Sequence, residues 1–159
     1  MVNLGFLLLF FLFDTLVMKI AIVNGPNLNL LGRRKPEIYG TATLADILAD
    51  VRAHFPDIDI VDCQSNSEGV LIDTLQSLGY APEIAGIVFN PGAYAHYSIA
   101  LADAIEAIPC PVVEVHISNI HAREEFRRVS VTARTAAAVI TGCGAMGYQL
   151  AVQYLISRS

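Results

Sequence analysis

From Lys19 onward two hydrophobic periodicities alternate along the chain, and this alternation limits the fold more than any other feature. Five short β-branched or apolar runs read as buried strands: "KIAIVN" (Lys19–Asn24), "DIDIVDCQ" (Asp57–Gln64), "GIVFN" (Gly86–Asn90), "PVVEVHI" (Pro111–Ile117) and "AAAVITG" (Ala136–Gly142). Between them lie stretches with helical spacing. The first is capped by Thr43 and runs to about His54, and the second follows Ser67 with Val70, Leu71, Leu75 and Leu78 in register. The third covers Ile99–Ile108 and is stopped by Pro109 and Pro111, and the last ends near Ile156. Strands that alternate with helices predict a parallel sheet covered on both faces. Five strands in a chain of 159 residues predict an α/β, flavodoxin-like, doubly wound five-stranded sheet. The expected organisation is an apolar extension over residues 1–17 and one domain over residues 18–159.

That extension, "GFLLLFFLFDTLV", is broken by Asp14, and its unbroken run Phe6–Phe13 is too short to span a bilayer. It lacks the basic start and small-residue cleavage site of a signal peptide. A net charge of −5 and the absence of Trp argue against a nucleic-acid partner, which would need a basic face and stacking platforms. Cys63, Cys110 and Cys143 form no C-x-x-C pair and are expected to be reduced, buried thiols in a cytoplasmic protein.

In doubly wound sheets, ligands bind beyond the carboxyl ends of the strands. In this sequence those ends carry the polar chemistry. Strand one runs into "NGPNLNLLGRRKPEIYG", strand three into "NPGAYAH" and strand four into "HISNIHAREEFRR". Glu114 and His116 lie two apart on a strand and therefore share a face. Two polar groups on one buried face cost free energy unless they are paired or used, and His titrates nearest neutral pH, so His116 is a candidate general acid or base. Tyr39 follows Arg33 and Arg34, and a nearby guanidinium lowers a phenol's pKa toward that of a usable base. Arg123, Arg127 and Arg128 stand at helical spacing, which fits an anionic substrate.

Other chemistries are poorly supported. "GCGAMG" (Gly142–Gly147) has the glycine spacing of a dinucleotide loop, but only 12 residues follow it, too few for the second strand and its ribose-binding acid. Tight strand–helix packing explains its small residues better. No phosphate-cradling loop is present, and His54, His96, His116 and His121 lack ligand spacing, so no metal is expected. Lys19 and Lys35 are the only lysines, and neither lies in an apolar stretch that would suit a Schiff base.

Three segments, "IVNGPNLNLLGRRKPEIYG", "NPGAYAHYSIALADAI" and "VEVHISNIHAREEFR", occur in an order and spacing that closely resemble type II 3-dehydroquinate dehydratase. The resemblance spans Met18–Ser157, including "GAMGYQLAVQYL". It implies a flavodoxin-like lyase that dehydrates 3-dehydroquinate to 3-dehydroshikimate without a cofactor, assembled as a homododecamer of trimers. It further implies Tyr39 as the base, Arg34 as its activator, Asn27 as an enolate stabiliser acting through water, and His116 as the acid supported by Glu114. Asn90, His96 and Arg127 would bind ring hydroxyls, and the backbone at Ile117 and Ser118 would hold the carboxylate. Asp103 would come from a neighbouring subunit. Ala95 and Tyr97 replace the threonines of the usual "GAYTHTS", and Lys35 replaces a common Glu. The first two raise the question of what holds His96.

Overall fold

The computed structural model describes residues 17–33 and 41–158. Five strands, β1 (Lys19–Asn24), β2 (Asp59–Gln64), β3 (Ile84–Asn90), β4 (Val112–His116) and β5 (Ala138–Thr141), form one sheet in the order β2-β1-β3-β4-β5. Every pairing is parallel. This is the flavodoxin-like order, with its switch point between β1 and β3. Among the described residues four helices cover it: α1 (Leu44–His54), α2 (Glu68–Gly79), α3 (Ile99–Ala107) and α4 (Met146–Ile156).

The helices begin where side chains satisfy otherwise unpaired amides. Thr43 and Asp46 form a reciprocal capping box at the start of α1. Ser67 and Ser98 accept from Val70 N and Leu101 N at the starts of α2 and α3. Strand alternation divides the core in two. Ile20 and Ile22 of β1, Val88 of β3 and Val113 and Val115 of β4 pack against Ile47 and Val51 of α1 and Val152 and Leu155 of α4. Ala21, Val23, Phe89 and Val112 face Leu71 and Leu75 of α2 and Leu101 and Ile105 of α3. Each aliphatic side chain buried in this way contributes on the order of 1.5–3 kcal/mol.

Several sequence expectations need correction. β2 begins at Asp59 rather than Asp57 because Phe55–Ile58 form the turn out of α1, where Ile58 N donates to Phe55 O. β3 begins earlier, at Ile84. Val70 fits the α2 periodicity but is 51% exposed, lying just outside the stripe defined by Leu71 and Leu75. The cysteines are not uniformly buried: Cys63 and Cys110 are half-buried and Cys143 is exposed in the turn after β5. Burial pushes the Cys110 thiol up to about 11. "HAREEFRR" is not a helix but two short 3-10 turns, Ile120–Ala122 and Glu125–Arg127.

"GCGAMG" does serve strand–helix packing. A Cβ on Gly147 would lie 3.2 Å from Val115 Cγ1, so the glycine lets α4 approach β4. Arg34, Lys35 and Tyr39, and all of the N-terminal extension before Val17, lie outside the described residues.

Candidate active site

A cleft of about 180 Å³ opens at the carboxyl ends of β1, β3 and β4, beside the switch point. The segment after β1 reaches it by crossing close to β3. Gly25 N donates to Asn90 O at 2.7 Å, and a Cβ on Gly25 would sit 2.5 Å from Pro91 O, so only glycine allows the crossing. Asn27 follows in a left-handed conformation (φ 66°), which Asn tolerates better than most residues. Its N–H is held by Asn66 Oδ1 at 2.9 Å.

Seven of the expected site residues line the cleft: Asn27, Asn90, His96, His116, Ile117, Ser118 and Arg127. Arg123 lines it as well. Glu124 holds both arginines, at 3.0 Å from Arg127 Nη1 and 3.5 Å from Arg123 Nε, so the irregular turn presents them as well as a helix would. Asp103 is not part of the cleft; it lies on the exposed side of α3. Arg34 and Tyr39 fall outside the described residues.

Glu114 is fully buried directly behind His116. Its Oε1 receives His116 Nε2 and Ser130 Oγ, each at 2.6 Å, and its Oε2 receives Thr132 Oγ1 at 2.5 Å. Burial alone would raise its pKa, but the hydrogen bonds from His116, Ser130 and Thr132 together outweigh burial and hold it below the ordinary carboxylate value. An ionised Glu114 can only accept, so His116 Nε2 carries a proton toward it and Nδ1 is the ring atom left to exchange one. His96 stacks beside it with ring centroids 6.4 Å apart. His96 Nδ1 lies 2.8 Å from Val129 O, and because a carbonyl can only accept, Nδ1 carries a proton and neutral His96 offers Nε2 as an acceptor. A backbone carbonyl therefore holds His96, with no need for a threonine hydroxyl at 95 or 97.

On the opposite face of the sheet, Tyr148 of α4 is fully buried between two strand ends. Its hydroxyl donates to Asn24 Oδ1 at 2.7 Å and accepts from Asn90 Nδ2 at 2.9 Å. Asn90 Oδ1 accepts Gly92 N at 3.1 Å, which fixes the orientation of the amide at the cleft wall. Burial raises the phenol's pKa far above its usual value, with the hydrogen bond from Asn90 opposing it, so Tyr148 stays neutral.

Sequence reasoning did not identify Ser130, Thr132 or Tyr148. Ser130 and Thr132 carry a weak signal, two hydroxyls two residues apart beyond an arginine-rich turn, whereas Tyr148 is hidden among the apolar positions of α4.

The model of the family "Dehydroquinase class II" matches residues 18–156. The chain belongs to the class II dehydroquinase family. A 3-dehydroquinate dehydratase of Chelativorans sp. (strain BNC1) is 54% identical over 142 residues, covering 87% of this chain and 97% of that one. One from Pelodictyon phaeoclathratiforme is 51% identical, covering 89% and 94%. The type II dehydroquinase structure from Butyrivibrio crossotus superposes with a TM-score of 0.84 at 42% identity, covering 87% of this chain and 97% of that one. The expectation of a type II dehydroquinase with a flavodoxin-like sheet is borne out. Among the described residues of this dehydroquinase, no helix is long and apolar enough to cross a membrane.

Proposed function

We propose that this cleft converts 3-dehydroquinate to 3-dehydroshikimate by anti elimination through an enolate. Tyr39, as phenolate beside Arg34, takes the proton from the carbon adjacent to the ketone. The electron pair left on carbon delocalises onto the ketone oxygen, where Asn27 stabilises it through a water. The enolate then collapses, the carbon–hydroxyl bond breaks, and the departing oxygen takes a proton from His116 to leave as water. The products are a conjugated enone, a protonated Tyr39 and a neutral His116; return of the proton from Tyr39 to His116 through solvent resets the site. No cofactor enters this balance.

The observation that carries the proposal is the buried Glu114–His116 pair opening onto the cleft. A carboxylate held ionised by three hydrogen bonds is the partner a His general acid needs near neutral pH. Asn90, His96 and Arg127 are suited to the ring hydroxyls, and the backbone at Ile117 and Ser118 to the substrate carboxylate. A Schiff-base route is disfavoured at Lys19, whose ammonium is paired with Asp59 at 3.4 Å. It opens β1, about 16 Å along the strand from the cleft end.

The proposal extends to a catalytic domain over residues 18–159, a cytoplasmic location and a homododecamer in which Asp103 completes a neighbour's site. Its exposed position on α3 is compatible with that role. Adding 3-dehydroquinate should produce the absorbance of a conjugated enone, and Tyr39→Phe should abolish most turnover with the fold retained. Borohydride added with substrate should leave activity intact. Covalent trapping, full activity in Tyr39→Phe, or no enone from the wild-type enzyme would each refute the reading.

A further inference from the structure

The segment between the Glu125–Arg127 turn and β5 does more than connect. Over four residues it carries the Val129 carbonyl that fixes His96, the Ser130 and Thr132 hydroxyls that reach Glu114, and the Val131 N–H that donates to Ala95 O at 2.7 Å. Both histidines of the cleft are therefore tied to one strap of backbone.

We propose that Thr132 is a positioning residue for the dehydration, acting through Glu114 to keep His116 armed as the proton donor. This rests on the reading of His116 as the acid. The argument follows the hydroxyl protons. With Glu114 ionised, Ser130 and Thr132 each commit a proton to a separate carboxylate oxygen, at 2.6 and 2.5 Å. With Glu114 protonated at Oε2, Thr132 must turn round: it accepts from the acid and sends its own proton to Ser130 at 3.1 Å, while Ser130 keeps donating to Oε1. The protonated arrangement turns the short charge-assisted bond from Thr132 into a longer neutral one to Ser130 and takes the charge from the bond of Ser130, so the hydroxyls favour the carboxylate, Thr132 most directly.

Ser130 has a second task, accepting Ala133 N at 3.2 Å, so its removal would also disturb the turn. Thr132 is fully buried, and its hydroxyl is the group that serves Oε2. It is the cleaner handle.

Other groups around the pair leave this assignment intact. His116 is the titratable neighbour on β4, and His96 stands beyond it on the turn after β3. In register beside Glu114 lie Phe89 of β3 and Val139 of β5, neither of which titrates. α3 turns Leu101, Ala104 and Ile105 inward and leaves Asp103 and Glu106 exposed. Arg123 and Arg127 line the cleft and are engaged by Glu124.

The test is the pH profile of kcat for Thr132→Val, which keeps the shape and removes the hydroxyl, alongside Thr132→Ser, which keeps the hydroxyl. Loss of one hydrogen bond to a charged group should lower kcat roughly tenfold near neutrality and move the acid limb up by about one pH unit. KM should change by less than about twofold, since the hydroxyl touches Glu114 and not the cleft. Thr132→Ser should restore both limb and rate. An unmoved acid limb in Thr132→Val overturns the proposal, as does a shift that persists in Thr132→Ser, which would assign the effect to packing. Carbon-13 carboxyl NMR of Glu114 reads the same clamp without turnover. A higher Glu114 midpoint in folded Thr132→Val supports it, and an unchanged midpoint overturns it. The titration stands even if the wild-type enzyme fails to dehydrate 3-dehydroquinate, a result that would refute the functional reading separately.

Discussion

Two buried polar networks lie at the same edge of the sheet but on opposite faces, and they are built differently. On the α1/α4 face, Asn24, Tyr148 and Asn90 form a neutral chain across the ends of β1 and β3. On the α2/α3 face, Glu114, His116, Ser130 and Thr132 form a charged cluster at the end of β4. Among the described residues the neutral chain leaves Asn24 Nδ2 without a hydrogen-bond partner, whereas both oxygens of Glu114 are served. An imperfect amide costs a modest amount when buried, but an unsatisfied buried carboxylate would cost far more or take up a proton. The difference separates two tasks. The neutral chain fixes Asn90 at the cleft wall, and the charged cluster holds an ionised carboxylate behind His116, the proposed acid.

That division predicts different failures. His116→Ala should lower kcat by roughly 10²–10⁴-fold with little change in the cooperativity of unfolding, because it removes the proposed acid and no structural hub. Glu114→Gln should lower kcat by about tenfold or more, because a neutral amide does not stabilise the imidazolium. It should also change how stability depends on pH. Because folding lowers the pKa of Glu114, its contribution is present above the ordinary carboxylate value and is lost as pH falls through the lower folded value. Thermal midpoints measured from neutral to acidic pH should therefore fall less steeply in Glu114→Gln than in wild type; equal slopes would show that Glu114 carries no such linkage. Tyr148→Phe should have the smallest catalytic effect of the three and the clearest structural one. It strips partners from Asn24 and Asn90, so stability should fall by about 1–3 kcal/mol in denaturant titrations. KM should rise a few-fold while the acid limb of kcat stays in place. A shifted acid limb in Tyr148→Phe would mean that the two networks are not separate.

The contrast also explains what could be read from the sequence. The flavodoxin-like sheet follows from alternating periodicities and five strands in a chain of this length, and β1 and the helix starts at Thr43 and Ser67 follow from local rules. The Glu114–His116 pair was legible because both residues sit on one strand, where a spacing of two fixes a shared face. Ser130 and Thr132 were not, because they reach Glu114 from 16 and 18 residues away along an irregular strap. Tyr148 bonds Asn24 across 124 residues, and its position on α4 follows an apolar stripe that hides a polar tip. The arginine-rich segment has helical spacing because Arg and Glu favour helices, yet Glu124 engages Arg123 and Arg127 from 3-10 turns.

The central claim is that His116 delivers a proton to the leaving hydroxyl after a different residue has formed the enolate. Incubating His116→Ala with 3-dehydroquinate in deuterium oxide and recovering the substrate tests it directly. The account predicts deuterium at the carbon beside the ketone, with enone formation nearly abolished. Enone appearing at the wild-type rate, or substrate recovered without deuterium, would contradict it.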